Sequence, residues 1–370
     1  MAVSFRDNEQ GICTSDFETD ETTDGSNAPE GGVDSESDTA SVAVAVHPIH
    51  SSGVASGTSA LMQIKLASGE AARVVSEILD MDPVSYDDNV EKFEEDSAAA
   101  LDRSVGRVVD LVRQNLTAAA IRIQGFDFGP LFPTAEARCS HRTHIPAAVA
   151  AGLARSLGLG VVGYSAEKIY SHPLFHDIRP VQGGKEGSNG SGEPLNFHMD
   201  MSYEFTKAPE WLALLCLREG VDPDVKTPFV SNRVLYSRLE ENYPEDLVIL
   251  KDPASYKIER PPSAGGGFAE EMPLLTGDRA DDATFWLRVH HDRIVPQNER
   301  AKTAFSHMQS LMDEIADNSV HLVAGDVFLI NNWKSLHTRT KFKAAFNEKD
   351  RLLQRSYFKE RSYLPEGRIF

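Results

Sequence analysis

Hydrophobic spacing divides the chain into a helical part and a strand-rich part. Over 71–79 and 101–116 apolar residues return every three or four positions, the period of a helix with one buried face. The stretch 146–157 repeats this, with Pro146 near its first turn and Gly158 near its end. Over 118–125 the pattern changes to alternation and stops at Gly125, which predicts a strand. From Val161 onward short apolar runs alternate with Gly, Pro, Asn and Asp clusters, and helical spacing returns only over 301–315. Two runs, Trp211-Leu-Ala-Leu-Leu-Cys-Leu217 and Val327-Phe-Leu-Ile330, predict buried strands. The expected class is α+β: helices packed around a two-sheet β-core, with no internal repeat.

Residues 1–60 break from this pattern. Eleven Asp and Glu side chains between Asp7 and Asp38 lie among Ser, Thr and Gly, and Arg6 is the only Lys or Arg before Lys65. Such a stretch cannot bury enough apolar surface to offset its ordering entropy, so a disordered acidic tail is expected at 1–60 and one large domain at 61–370. The 370-residue chain is 41% hydrophobic and 25% charged, as in ordinary globular proteins, and its net charge of −19 argues against a nucleic-acid surface. Cys13, Cys139 and Cys216 are too scattered for a disulfide framework or a zinc site. No basic-then-apolar leader opens the chain, and Pro146 and Arg155 interrupt the longest small-and-apolar stretch. These features lead to the expectation of a cytoplasmic protein that meets a small molecule rather than nucleic acid or membrane, as a monomer or a homo-oligomer.

The candidate chemistry sits in the strand-rich part. In Pro194-Leu-Asn-Phe-His-Met-Asp-Met-Ser-Tyr203, His198 and Asp200 are two apart, so on an extended segment both point to one side and can take adjacent positions on a metal. His337 lies 337 − 198 = 139 residues further on, just after the second buried run. Two histidines and a carboxylate on one face, with the other face open, suit non-heme Fe(II) and dioxygen. By contrast His141 with His144, His290 with His291, and His176 with Asp177 lack a distant partner beside a core strand, and are expected in polar loops or on the substrate side. Glu204 and Asp326 are structural candidates that could orient the ligand imidazoles. Further on, Arg351 and Arg355 are evenly spaced, so an extended strand places both on one side. If that side is buried they need a carboxylate, which a dicarboxylate ligand would supply bidentately; on an exposed strand they need none. Before His198, the Gly- and Ser-rich loop 181–194 is either a lid over a pocket or a plain solvent loop.

From about Leu157 to Lys359 the chain resembles the clavaminate synthase-like group of Fe(II)/2-oxoglutarate-dependent oxygenases, which includes hydroxylases of free amino acids. Four matches carry the resemblance: His198-Met199-Asp200, His337, Arg351 fourteen residues past His337, and Arg355 four beyond that. It implies a double-stranded β-helix (jelly-roll) core, Fe(II) held by His198, Asp200 and His337, and O2 as oxidant. It also implies 2-oxoglutarate bound by Arg351 and Thr227, and Arg355 on the substrate carboxylate. The implied reaction converts 2-oxoglutarate to succinate and CO2 while an unactivated carbon is hydroxylated. Many relatives carry Glu where this chain has Asp200. In arginine-using relatives two acids stand where Leu287-Arg-Val-His-His-Asp292 retains only Asp292, with His290 in the place of the other. One acid suits an ammonium at least as well as a guanidinium fork, so L-lysine is the expected substrate, ahead of L-arginine and L-ornithine. Ser188 and Glu167 are further candidates for the substrate amine. A desaturase, a cyclase, an oxygenase of carrier-tethered amino acids, and a non-catalytic jelly-roll binding protein remain alternatives.

Overall fold

The computed structural model describes residues 44–47, 61–81, 89–129, 144–164, 174–181, 192–277, 285–315 and 319–370. The helical part comes first. Strands β1 (Val44–His47) and β2 (Leu61–Lys65) lead into helices α1 (Glu70–Leu79) and α2 (Val90–Gln114), then β3 (Ala120–Gln124), α3 (Ile145–Ser156) and β4 (Leu159–Val162). The strand-rich part follows with β5 (His176–Ile178), β6 (Leu195–His198), β7 (Trp211–Arg218) and β8 (Thr227–Ser231). Helices α4 (Asn232–Asn242) and α5 (Asp246–Leu250) come next, then β9 (Tyr256–Ile258), β10 (Leu275–Thr276), β11 (Trp286–Leu287) and β12 (Ile294–Pro296). The chain closes with α6 (Glu299–Ile315), β13 (Ser319–Val320), β14 (Val327–Asn331), β15 (Ser335–Arg339) and β16 (Leu352–Glu360).

Two sheets carry the architecture. The larger runs β1-β2-β3-β14-β7-β16-β4, with β5 also on β16, and the smaller runs β13-β8-β15-β6. The continuous apolar runs of β7 and β14 now have a cause. Leu212, Leu214 and Cys216 of β7, with Phe328 and Ile330 of β14, join one core with Phe229 and Leu336 of the smaller sheet. The alternate residues Ala213, Leu215, Val327 and Leu329 join a second core with α1, α2 and α3. A strand buried on both faces has no polar side to show, so its sequence does not alternate. Helices α2 and α3 approach so closely that a Cβ on Gly152 would sit 2.7 Å from the Ser97 carbonyl oxygen.

Three expectations need correction. Helix α2 starts at Val90, capped by Asn89, whose side chain accepts from the Lys92 N–H at 3.0 Å; its first turns bury Glu94 and Ser97 as well as Phe93, which blurs the apolar period. Helices α4 and α5 lie where only strands were expected. Their buried residues are few, with Leu235, Tyr236 and Leu239 forming the face of α4, too short a run to separate helix from strand by periodicity. Strand β1 pairs antiparallel with β2 from within the stretch assigned to the tail. Among the described residues no helix is long and apolar enough to cross a membrane.

Candidate active site

The site is built on a row of backbone pairings. His337 of β15 is registered opposite His198 of β6 on one side and Phe229 of β8 on the other, and His198 forms an isolated bridge with His290. Directly opposed residues of antiparallel strands present their side chains to the same face. Three imidazoles therefore line up across neighbouring strands, with ring centroids 4.4 Å apart for His198 and His337 and 5.3 Å for His198 and His290.

Asp200 completes the cluster. One ligand atom from each of His198, Asp200 and His337 lies within 4.8 Å of the other two. The closest approaches are His198 Nε2 to Asp200 Oδ1 at 3.9 Å and His337 Nε2 to Asp200 Oδ2 at 3.6 Å. His198 Nδ1 lies 2.7 Å from the Asn196 carbonyl oxygen. A carbonyl only accepts, so Nδ1 carries the proton and Nε2 keeps its lone pair for a metal. Burial, with the charges of His198, Arg355 and His290 adding to it, holds His337 well below the ordinary imidazole value, which leaves it neutral. Asp200 Oδ2 is buried with no hydrogen-bond partner among the described residues. Two imidazoles and an unsatisfied carboxylate oxygen are a donor set that a divalent metal fits, with the N,N,O composition of a non-heme iron site.

Asn332 fixes the Asp200 backbone from behind. Its Oδ1 accepts from the Asp200 N–H at 2.8 Å, and its Nδ2 donates to the carbonyls of Asp200 and Pro209 at 3.1 and 3.0 Å. The turn that follows puts Met201 in the left-handed region at φ 59°, which a β-strand continuation would not allow. In the sequence Asn331-Asn332 signals only a turn; that Asn332 grips a residue 132 positions away is invisible there.

Both expected arginines are buried. Arg351 stands just before β16 at 6% exposure, its Nε and Nη2 without hydrogen-bond partners among the described residues. Burial lowers its pKa from the ordinary value, partly countered by the Cys216 thiol. Arg355, at 4% exposure, lies over the Tyr357 ring at 4.7 Å and donates from Nη2 to His176 Nδ1 at 3.1 Å, across the β16–β5 pairing. Even spacing does not by itself place the two arginines on one face, because the β16–β7 register slips between Leu352 and Leu353. The exposed-strand alternative is excluded by their burial. Thr227 opens β8 and is buried. Arg339, two residues past His337 on β15 and beyond a slip in the β15–β6 register, adds a third buried guanidinium that sequence reasoning passed over. It lies over Phe342 at 5.0 Å and donates to the Glu193 carbonyl at 2.5 Å; burial first, then Arg351, brings its pKa down to about 10.

The remaining candidates separate. Asp292 has a side chain 49% exposed and already accepts from Asn196 Nδ2 at 2.6 Å, with His291 Nδ1 at 3.2 Å. Partial burial would raise its pKa, but the bonds from His291 and Asn196 win and lower it. His290 flanks His198, with Nδ1 buried and unpartnered among the described residues; burial, and then His198, push its pKa down to about 3. Ser188, Glu167 and most of the 181–194 loop lie outside the described residues, as do His141 and Cys139. Glu204 pairs with Lys207 and Asp326 with Arg122, so neither orients a ligand imidazole through these contacts.

Comparison with known proteins agrees with this geometry. Residues 142–357 match the family of taurine catabolism dioxygenase TauD, TfdA. The chain is 29% identical to clavaminate synthase 2 of Streptomyces clavuligerus over 208 residues, covering 55% of this chain and 61% of that protein. It is 30% identical to L-asparagine oxygenase of Streptomyces coelicolor over 209 residues, 55% of this chain and 60% of that one. The match thus spans about three fifths of the length of these curated relatives. A crystal structure of asparagine oxygenase in complex with Fe(II), 2S,3S-3-hydroxyasparagine and succinate superposes with a TM-score of 0.69 at 23% identity, covering 83% of this chain and 98% of that one, which establishes a shared fold. Because the matched segment runs through His198, Asp200, His337, Arg351 and Arg355, the chain belongs to the taurine catabolism dioxygenase TauD/TfdA family.

Proposed function

We propose that this chain is an Fe(II)- and 2-oxoglutarate-dependent oxygenase that hydroxylates an unactivated carbon of a free L-amino acid. The observation that carries the proposal is the pairing of a His-Asp-His cluster with Arg351, a buried guanidinium two of whose nitrogens lack hydrogen-bond partners among the described residues. An isolated buried cation is costly, and the distal carboxylate of 2-oxoglutarate would relieve it. On this reading the two sheets form a double-stranded β-helix, and residues 61–370 form the oxygenase domain.

Fe(II) bound by His198, Asp200 and His337 would supply the oxidative chemistry, coupling decarboxylation of 2-oxoglutarate to oxidation of a C–H bond by O2. The chain's own residues bind and orient. Arg351 and Thr227 hold the cosubstrate by its distal carboxylate. Arg355, whose guanidinium His176 and Tyr357 fix in place, takes the substrate carboxylate. His290 is assigned to the side-chain end of the substrate, beside Asp292, which Asn196 and His291 already hold, with Ser188 and Glu167 as candidates for its amine. Lysine has no support over other amino acids, since the relatives are named for different substrates.

Purified protein with Fe(II), ascorbate and 2-oxoglutarate is expected to release succinate only when its amino acid is present. His198→Ala and His337→Ala should each abolish this release. Turnover that survives rigorous iron removal would sink the assignment. Mass spectrometry of the product separates hydroxylation, which adds one oxygen, from desaturation, which removes two hydrogens, and the same screen repeated with carrier-bound amino acids tests the tethered alternative.

A further inference from the structure

We infer that the substrate has an uncharged, hydrogen-bonding side chain, a carboxamide or a hydroxyl, rather than an ammonium or a guanidinium. The inference rests on the amino-acid hydroxylase reading and deepens it. It starts from the row of cross-strand positions. Reading outward from Phe229, the face carries His337, then His198, then His290. The first two imidazoles belong to the metal cluster and the third does not, so His290 is the side chain that flanks the cluster on the β6 edge. Its ring lies 5.3 Å from that of His198, and its Nδ1 is buried without a hydrogen-bond partner among the described residues. It therefore has bonding capacity to spare at the edge of the site.

Over the pH range in which a protein stays folded, a free imidazole side chain is neutral or positive and not an anion. It can exchange a hydrogen bond with an amide or hydroxyl, but it cannot neutralise a buried cation. That task needs a carboxylate, and the one on this segment is committed elsewhere. Asp292 is half exposed and bound to Asn196 and to His291. The bond to Asn196 has a second use: the carbonyl of the same residue orients His198 at 2.7 Å, so Asp292 serves the metal side of β6 from outside. Other described acids nearby are paired as well, Glu204 with Lys207 and Glu193 with Lys341. A lysine or arginine side chain lying along His290 would lose its hydration and meet no unpaired carboxylate on this segment among the described residues. Such a loss typically costs on the order of a hundredfold in binding.

The test uses the full chain. The Fe(II)- and 2-oxoglutarate-loaded protein is screened for succinate release with the twenty amino acids, and in parallel the Zn(II)-substituted protein is titrated calorimetrically with the same panel. The expected result is that amino acids with carboxamide or hydroxyl side chains bind and turn over at least roughly tenfold better than Lys, Arg or ornithine. His290→Asp should restore a counter-charge and reverse the order in favour of the cationic side chains. Equal or better binding of Lys, Arg or ornithine by the unaltered chain overturns this inference while leaving the hydroxylase reading intact. Binding of no free amino acid at all overturns both. Should His290→Asp fail to fold, the two panels on the unaltered chain decide alone.

Discussion

At the scale of single residues, the proposed function separates side chains that would hold ligands from side chains that hold those side chains. Arg351 belongs to the first group. Lysine keeps the charge but not the planar fork, so Arg351→Lys is expected to raise the KM for 2-oxoglutarate by roughly tenfold to a hundredfold, the worth of a charge-assisted hydrogen bond, with a smaller change in kcat at saturation. Steady-state kinetics with varied 2-oxoglutarate decides this, and an unchanged KM would remove Arg351 from the cosubstrate site. His176 belongs to the second group. It is completely buried and accepts a hydrogen bond from Arg355. His176→Ala should therefore raise the KM for the amino acid by roughly tenfold, the low end of the worth of a hydrogen bond to a charged group, and leave the KM for 2-oxoglutarate where it was. Partial rescue by His176→Gln, which keeps an acceptor, would mark positioning rather than loss of packing. Arg355 was legible in the sequence because its distance from His337 has a family counterpart. His176 was not: an adjacent His-Asp pair has no strand pattern, and only the β16–β5 register brings it to Arg355.

At the scale of elements, the central strands of the larger sheet were readable, and the turns that aim the chemistry were not. Strands β7 and β14 announce themselves through apolar runs, because both faces are buried. What places Arg351 is a set of turns whose partners lie far off in the chain. Arg218 Nε donates to the Asp350 carbonyl at 2.6 Å, and the Asp350 carboxylate accepts from the Ala345 and Asn347 N–H groups at 2.8 and 3.0 Å. Gly220 packs directly on this segment. It adopts φ 90°, and a Cβ there would lie 2.8 Å from the Arg351 backbone nitrogen. Gly220→Ala therefore meets two obstacles at once, a left-handed backbone and a contact with main chain that cannot rotate away. The expected cost is about 1–3 kcal/mol of stability, read by denaturant unfolding, together with a raised KM for 2-oxoglutarate as Arg351 is displaced. A stability loss with no change in that KM would show that the 219–221 turn supports the fold without aiming the arginine.

At the scale of the whole molecule, the helical and strand-rich parts are tied by one buried carboxylate. Glu94 sits in the first half of α2 and is completely buried. It accepts from the Val161 N–H of β4 at 2.7 Å, from Arg361 at 2.9 Å, and from both terminal nitrogens of Arg368 at 3.1 and 3.0 Å. The arginines come from the last ten residues, up to 274 positions away in sequence, and the same terminal segment stacks Phe370 on Tyr164 at 5.8 Å. In the sequence Glu94 sits among three other acids of the run Glu91-Lys-Phe-Glu-Glu-Asp96 and looks like part of a solvated face; its role depends on a chain end that periodicity cannot reach. Removing the carboxylate strands Arg368, which is 8% exposed, without its charge partner. Glu94→Ala should thus destabilise by about 3–5 kcal/mol, the usual result of breaking one side of a buried pair, whereas Asp96→Ala, which breaks the exposed pair with Lys92, should cost under about 1 kcal/mol. Salt separates the two further. Raising ionic strength should erase the Asp96 contribution and leave most of the Glu94 contribution, because buried charges are screened far less. Since Glu94 contacts none of the metal-cluster residues, the folded fraction of Glu94→Ala should keep its metal affinity at low temperature. Loss of metal binding in that fraction would mean that the terminal segment, through β4 and its partner β16, also sets the geometry of the site.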